Sequence, residues 1–315
     1  MTSERDFISS LRRLAADPAA RGLADDAAVL DHGGTSLVLT HDMIVEGVHF
    51  LADDPPEDVA WKAVAVNLSD LAAKGAAPLG LLMGYSLAGD SAWDEAFVAG
   101  LERVLAHYQI PLLGGDTVSA APGGAGRCIG ITAIGTASAP VVSRSGAKAG
   151  DGLWVSGTIG DAGAGLRIAR GALAGPDRLL DRYRRPQPRL AAGAALAPLA
   201  HAMMDISDGL LIDAGRMGEA SGLAVTIDLS LIPLSDELAA TIGEGRAARV
   251  EAATAGDDYE LLLAAPPALD EALVAAASDL PLTRVGRFDA GSGLSLRDGS
   301  QSVPLPARLG FEHNK

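Results

Sequence analysis

The chain has 315 residues, 48% of them hydrophobic and 4% aromatic, with a net charge of -15. That is long enough for two domains and apolar enough for cores packed mainly by Ala, Leu, Val and Gly. The acidic balance argues against nucleic-acid binding, which needs a Lys/Arg face, and no run of about 18 apolar residues predicts a membrane span. Cys128 is the one cysteine, so an intrachain disulfide is excluded, no Cys/His zinc spacing exists, and a reducing, cytoplasmic setting is expected.

In chain order, residues 4–16 predict an amphipathic helix, with Phe7, Leu11 and Leu14 at i, i+4 and i+7. Its interleaved charges are unlike a signal peptide. Asp25 and Asp26 precede a short apolar run; they either shape a turn or, facing a packed interior together, require a cation between them. Residues 37–39 predict a strand that delivers Thr40, His41 and Asp42 at its end. Asp53-Asp54-Pro55-Pro56 then breaks the chain before a helix over 59–73. Asn67 and Asp70, three apart, share one face of that helix, while Ala63, Val66 and Ala73 pack.

A strand over 81–87 and a helix over 93–107 follow, the helix with Trp93, Phe97, Leu101 and Leu105 in one stripe. A strand over 110–113 runs into Gly114-Gly115-Asp116-Thr117. Glycines there let backbone N–H groups approach a phosphate without a Cβ between, and Asp116 is placed to hold a bridging metal. After a strand over 127–136, RSGAKAGDGLWVSG marks the expected boundary between domains 1–140 and 141–315. A strand over 153–156 leads into GTIGDAGAGLRIARG, a strand, glycine loop and helix that serves packing first and an anion second. No GxxxxGK[ST] occurs, so a P-loop fold is not expected. DRYRRPQPRL, basic with two prolines, leads to an Ala-rich helix. Asp205, Ser207 and Asp208 then surround a helix start, where one of them suffices as N-cap and the other oxygens are to spare. Strands over 223–227 and 259–264 flank the further acid pair Asp257-Asp258, and Phe311 lies in an exposed-looking tail.

Acids that recur at element ends suit a hard divalent cation, which prefers carboxylate and hydroxyl oxygen, and together predict a magnesium-nucleotide site. The segments ADDAAVL, LTHDMIVEGVHF, KAVAVNLSDLAAKGAAP, LLGGDT, SRSGAKAGD, RRPQPRL, DISDGL and GDDYELL, in that order over nearly the whole chain, resemble the thiamine-monophosphate kinase family of the aminoimidazole-ribonucleotide-synthetase-like superfamily. The resemblance implies a two-domain α+β fold, a homodimer whose N-terminal sheets pair, and an ATP cleft between the domains. It implies ATP-dependent phosphorylation of thiamine monophosphate with several Mg2+ ions. Carried over residue by residue, the metal set is Asp26, Thr40, His41, Asp42, Asp70, Asp116, Asp205 and Asp208, with His41 acting through its carbonyl if at all. Nucleotide contacts are Gly115, Asp116, Arg144 and Ser207, and substrate contacts are His49, Asp257 and Phe311. The chain departs from the commoner wording at Ala24 (usually Gly), His41 (often a hydroxyl residue), Asp257 (frequently Glu) and Phe311 (commonly Trp or Tyr).

No general base is assigned, because the acceptor is already an ionised phosphate. His49, between Val48 and Phe50, reads equally as a packed histidine. Two alternatives stay open at this stage. One is a different ATP-using member of the superfamily, although Cys128 is not where the cysteine-dependent members need theirs. The other is a non-catalytic Mg-ATP sensor.

Overall fold

The computed structural model describes residues 4–119 and 126–312. Its elements are α1 (Glu4–Arg12), β1 (Ala28–His32), β2 (Thr35–Val45), α2 (Pro56–Ala73), β3 (Ala77–Leu87), α3 (Ser91–Tyr108), β4 (Leu112–Ser119) and β5 (Cys128–Ala137). These are followed by β6 (Gly152–Ser156), α4 (Asp161–Ala169), α5 (Asp177–Arg184), α6 (Leu190–Leu196), β7 (Ala202–Ile206), α7 (Leu210–Ser221) and β8 (Leu223–Asp228). Last come α8 (Asp236–Ile242), α9 (Arg246–Thr254), β9 (Glu260–Ala265), α10 (Asp270–Ala276), β10 (Leu282–Ala290), β11 (Gly293–Asp298) and β12 (Gln301–Val303).

The strands form two sheets. The first has five strands in the order β1-β2-β5-β3-β4, antiparallel except for the parallel pair β3/β4. The second has seven strands in the order β12-β11-β8-β10-β6-β9-β7, antiparallel except for β8/β11. This is the α+β class that the sequence predicts.

One helix organises both halves. Pro55 and Pro56 start α2, with Glu57 and Asp58 in its first turn where they complement the helix dipole. From Asp58 to Ala73 nearly every residue is buried, charged ones included. Val59, Ala63, Val66 and Leu71 join the core under the first sheet, with Phe97 and Leu101 of α3. Ala72 and Ala73 instead pack with Trp154, Met203, Leu261 and Leu263 of the second sheet. A helix buried on all sides needs apolar residues on all sides, and its small side chains let sheet and helix approach closely.

Three expectations shift. The strand expected over 37–39 runs through all of β2, so Thr40, His41 and Asp42 lie inside it, not at its end. The strand expected over 110–113 begins at Leu112 and absorbs Gly114 to Thr117, because parallel pairing with β3 draws them into the ladder. Gly115 permits this: a Cβ there would stand 1.9 Å from the Met83 carbonyl oxygen. The first helix is also shorter than expected, ending at Arg12.

Candidate active site

Strand alternation sorts the β2 residues. Thr40 and Asp42 share the face turned towards α2 with Val38 and Ile44, whereas His41 lies on the opposite, open face. There its Nδ1 is 2.8 Å from Thr132 Oγ1. A metal contact through the His41 ring on the Asp42 side is therefore not what this geometry offers. On α2, Asn67 Oδ1 accepts from the Asp42 N–H (2.9 Å), and Asp70 accepts from the Thr40 hydroxyl. Next to Asp70, Ser69 donates to Asp205 at 2.6 Å, so the end of β7 is tied to the same helix.

Asp70 and Asp205 are buried, and among the described residues neither is paired with Lys or Arg. Burial, together with the charges of Asp42, Asp205 and Asp26, raises the Asp70 pKa well above the usual aspartate value. Burial raises Asp205 likewise, with repulsion from Asp26, Asp213 and Asp42 and the Ser69 hydrogen bond opposing. Asp26, Asp42, Asp70 and Asp205 thus gather between the two sheets, close enough for the others to disfavour the charge of Asp70 and Asp205.

Asp26, unlike Asp70 and Asp205, also meets fixed cations, as do Asp25 and Asp208. Asp26 meets Lys74 Nζ at 2.7 Å and the Arg144 guanidinium, and Asp25 meets Lys74 at 2.6 Å and Arg21. Burial opposes ionisation of Asp25, but Lys74 foremost and Arg21 hold its carboxyl far below the usual range. Asp208 is engaged by Arg216, which also bonds Asp213 (2.8 Å). Ala24 keeps a negative φ of -126°, so the usual glycine is not needed there. Among the described residues no three carboxylate, imidazole or thiol groups close on one point. In donor chemistry the set fits a hard cation: oxygen ligands, buried, with excess negative charge. It is not preassembled as a cage.

Asp116 stands apart. It pairs with Gly84, which pairs with Gly130, opposite Met43, and so shares the open face with Met43 and His41. Three strand spacings, about 14 Å, separate it from β2 in the same chain.

The glycine loop before α4 is filled by the protein itself. Asp258 accepts from the Gly160 N–H at 2.8 Å, occupying the helix N-terminus where an anion was the second expectation. At Gly160 a Cβ would stand 2.5 Å from the Ala252 Cβ. DRYRRPQPRL is likewise committed inward. Arg184 bonds Asp54 (3.0 Å), Arg185 bonds Asp58, and Arg182 (2.6 Å) and Arg189 both reach Glu260, which is fully buried.

Of the substrate candidates, His49 and Asp257 are joined through Lys62, and Phe311 lies by the β7–α7 turn. His49 Nδ1 accepts from the Val45 N–H (3.1 Å). Asp257 donates its N–H to the Ser207 carbonyl (2.8 Å) and accepts from Lys62 Nζ (2.8 Å). Phe311 is 41% exposed, and its N–H donates to the Asp208 carbonyl (2.8 Å), which sets the tail against the β7–α7 turn. Sequence reasoning did not single out Lys62, Lys74, Glu260 or Tyr259. Tyr259 belongs to the second sheet's chain segment yet packs in the first sheet's core, with Asp257, Asp42, Asp205 and Asp208 around its hydroxyl.

The sequence matches AIR synthase related protein, N-terminal domain, over residues 24–137, and AIR synthase related protein, C-terminal domain, over residues 148–299. The thiamine-monophosphate kinase of Caulobacter vibrioides is 41% identical, covering 99% of this chain and 91% of its own. That of Escherichia coli K12 is 40% identical, covering 93% and 91%. Among solved structures, AaThiL complexed with AMPPCP and TMP has a TM-score of 0.86 at 30% identity, covering 99% of this chain and 97% of that chain. Thiamine-monophosphate kinase from Stenotrophomonas maltophilia K279a has a TM-score of 0.76 at 38% identity, covering 92% and 94%. On this sequence and fold similarity along nearly its full length, the chain belongs to the thiamine-monophosphate kinase family of AIR synthase related proteins.

Proposed function

We propose that this protein transfers the γ-phosphoryl group of ATP to thiamine monophosphate, giving thiamine diphosphate and ADP. The observation that carries the reading is the gathering of Asp26, Asp42, Asp70 and Asp205 between the two sheets, in a chain of this family. A phosphate oxygen of the acceptor attacks Pγ in line, the bond from Pγ to the β,γ-bridging oxygen breaks, and ADP leaves with that electron pair. Bringing the two anions together costs about 4 kcal/mol per charge pair at an effective dielectric near 20.

Mg2+, held by Asp26, Thr40, Asp42, Asp70, Asp205 and Asp208, would supply the neutralising charge. Arg144 would exchange Asp26 for the nucleotide phosphates, to which it brings a fixed positive charge. Ser207 would contact the nucleotide beside it, while His49, Asp257 and Phe311 would hold the acceptor. Catalysis in this reading is positioning and charge neutralisation, with no side chain acting as base.

The same reading takes a homodimer as the working unit. The open face of the first sheet exposes Met43, Leu82 and Val118, and a bare apolar sheet face favours a second sheet against it. Gly115 and Asp116 lie on β4 at that sheet's edge, and Asp116, about 14 Å from β2 of its own chain, would act in a site completed by the partner chain.

The test is to incubate the purified protein with thiamine monophosphate and Mg-ATP and to separate the products by chromatography. Thiamine diphosphate with one equivalent of ADP is expected. AMP, or ADP released without thiamine monophosphate, overturns the reading; Mg-ATP binding without turnover replaces it with a sensor.

A further inference from the structure

The Lys62 ammonium lies under the groups assigned to the acceptor. It is 2% exposed, on the second turn of α2. Its Nζ donates to Asp257 Oδ2 (2.8 Å) and to the His49 carbonyl (2.9 Å), and sits 4.1 Å from the centroid of the Tyr183 ring. One cation therefore joins the loop after β2, the loop before β9 and helix α5, three segments that sequence keeps far apart. A buried ammonium is tolerated only when paired and fully hydrogen-bonded, and an aromatic face takes the remaining side.

The loop it holds is strained. Asp257 has φ +71° and Tyr259 φ +50°, both left-handed for residues with a Cβ. Backbone bonds to Ser207 and Ile206 (2.8 Å each) and the Asp258 carboxylate on Gly160 hold its other side. Asp257 Oδ1 takes the Tyr259 hydroxyl at 3.2 Å. Such strain persists only where surrounding contacts over-determine it, and it gathers at ligand sites. Lys62 supplies the contact from the opposite domain. Tyr183 is itself fixed by Asp54 (2.8 Å), so the ring cannot give way when the ammonium is pulled.

We propose that Lys62 is a positioning residue for the acceptor: it fixes the spacing between His49 and Asp257 across the two sheets and so sets recognition of thiamine monophosphate, without serving the nucleotide. This rests on the phosphoryl-transfer reading and names a determinant of its substrate specificity. Asp257, shorter by a methylene than the Glu frequent at this position, gains a fixed orientation from the same contact.

The experiment compares wild type, Lys62→Met and Lys62→Arg in steady-state kinetics with each substrate varied, alongside equilibrium binding of AMPPCP and thermal melting. Wild-type turnover tests the phosphoryl-transfer reading by itself, and its absence would count against that reading alone. With wild type active, Lys62→Met is expected to raise KM for thiamine monophosphate about tenfold, the loss of one charged hydrogen bond, with KM for Mg-ATP and AMPPCP affinity within about twofold. Equal rises in both KM values, or a lower melting temperature with both KM values unchanged, overturn the proposal. If Lys62→Met does not melt cooperatively, Lys62→Arg decides, since it keeps the charge but alters the reach. A KM for thiamine monophosphate raised about threefold or more with AMPPCP binding intact supports positioning, and an unchanged KM overturns it.

Discussion

At Asp70, a carboxylate lies buried beside Asp42, Asp205 and Asp26 with the Thr40 hydroxyl as its hydrogen-bond donor. Its charge disfavours the folded, metal-free protein, while phosphoryl transfer would use that charge. Asp70→Asn is therefore expected to lower turnover by about a hundredfold or more while the metal-free melting temperature stays level or rises. Melting and turnover measured on one preparation check it; a large drop in both would mean that Asp70 is mainly structural. Lys74 is the opposite case, because its ammonium neutralises Asp25 and Asp26 and donates to the Met203 carbonyl (3.1 Å). Lys74→Met leaves both acids to Arg21 and Arg144 and is expected to cost about 3 kcal/mol, read from urea unfolding. These residues differ in legibility. Asn67 and Asp70 announce a shared face through their spacing, and Thr40 and Asp42 do so once the strand is known to continue. Lys62 and Lys74 do not, since a lysine on a helix is ordinarily a surface residue and only packing makes it an internal counter-ion.

Among the elements, α2 shows what a buried helix does for a site. It ties β2 through Asn67, β7 through Ser69, the N-terminal acid pair through Lys74 and the β9 loop through Lys62. Its apolar content was legible, but the second sheet lying against its C-terminal end was not, because Ala72 and Ala73 carry no mark of which partner they meet. The edge strand β4 depends on one close approach. Gly115→Ala would drive a methyl into the Met83 carbonyl, and the ladder must part. The expected cost is about 2 kcal/mol, with faster amide exchange confined to β3 and β4. Uniform destabilisation without local exchange would show that the strand had shifted and re-paired.

At the scale of the whole molecule, the open sheet face and Asp116 make a joint prediction. Val118→Asp, exposed on the edge strand of that face, is expected to convert a dimer to monomers in sedimentation and to remove activity. Asp42→Asn and Asp116→Asn, each inactive alone, are expected to regain about a quarter of wild-type activity when co-expressed, because half the dimers then carry one intact site of two. No recovery in isolated heterodimers would place Asp116 outside the site completed by the partner. Among the described residues no helix is long and apolar enough to cross a membrane.

The order of motifs along the chain implied the α+β class through the family they resemble, while strand and helix periods, prolines and glycines marked the elements because they act locally. It also marked which residues carry oxygen donors. Only the tertiary structure decided which donors meet. Alternation along the full length of β2 parted His41 from Thr40 and Asp42, parallel pairing put Asp116 on the far side of the sheet, and Asp258 took the helix N-terminus that the glycine loop offered. The pairing of Asp26 with Lys74 and Arg144 likewise depends on segments brought together from distant parts of the chain. Charge partners are chosen by distance in space and by burial, and neither is written in local sequence.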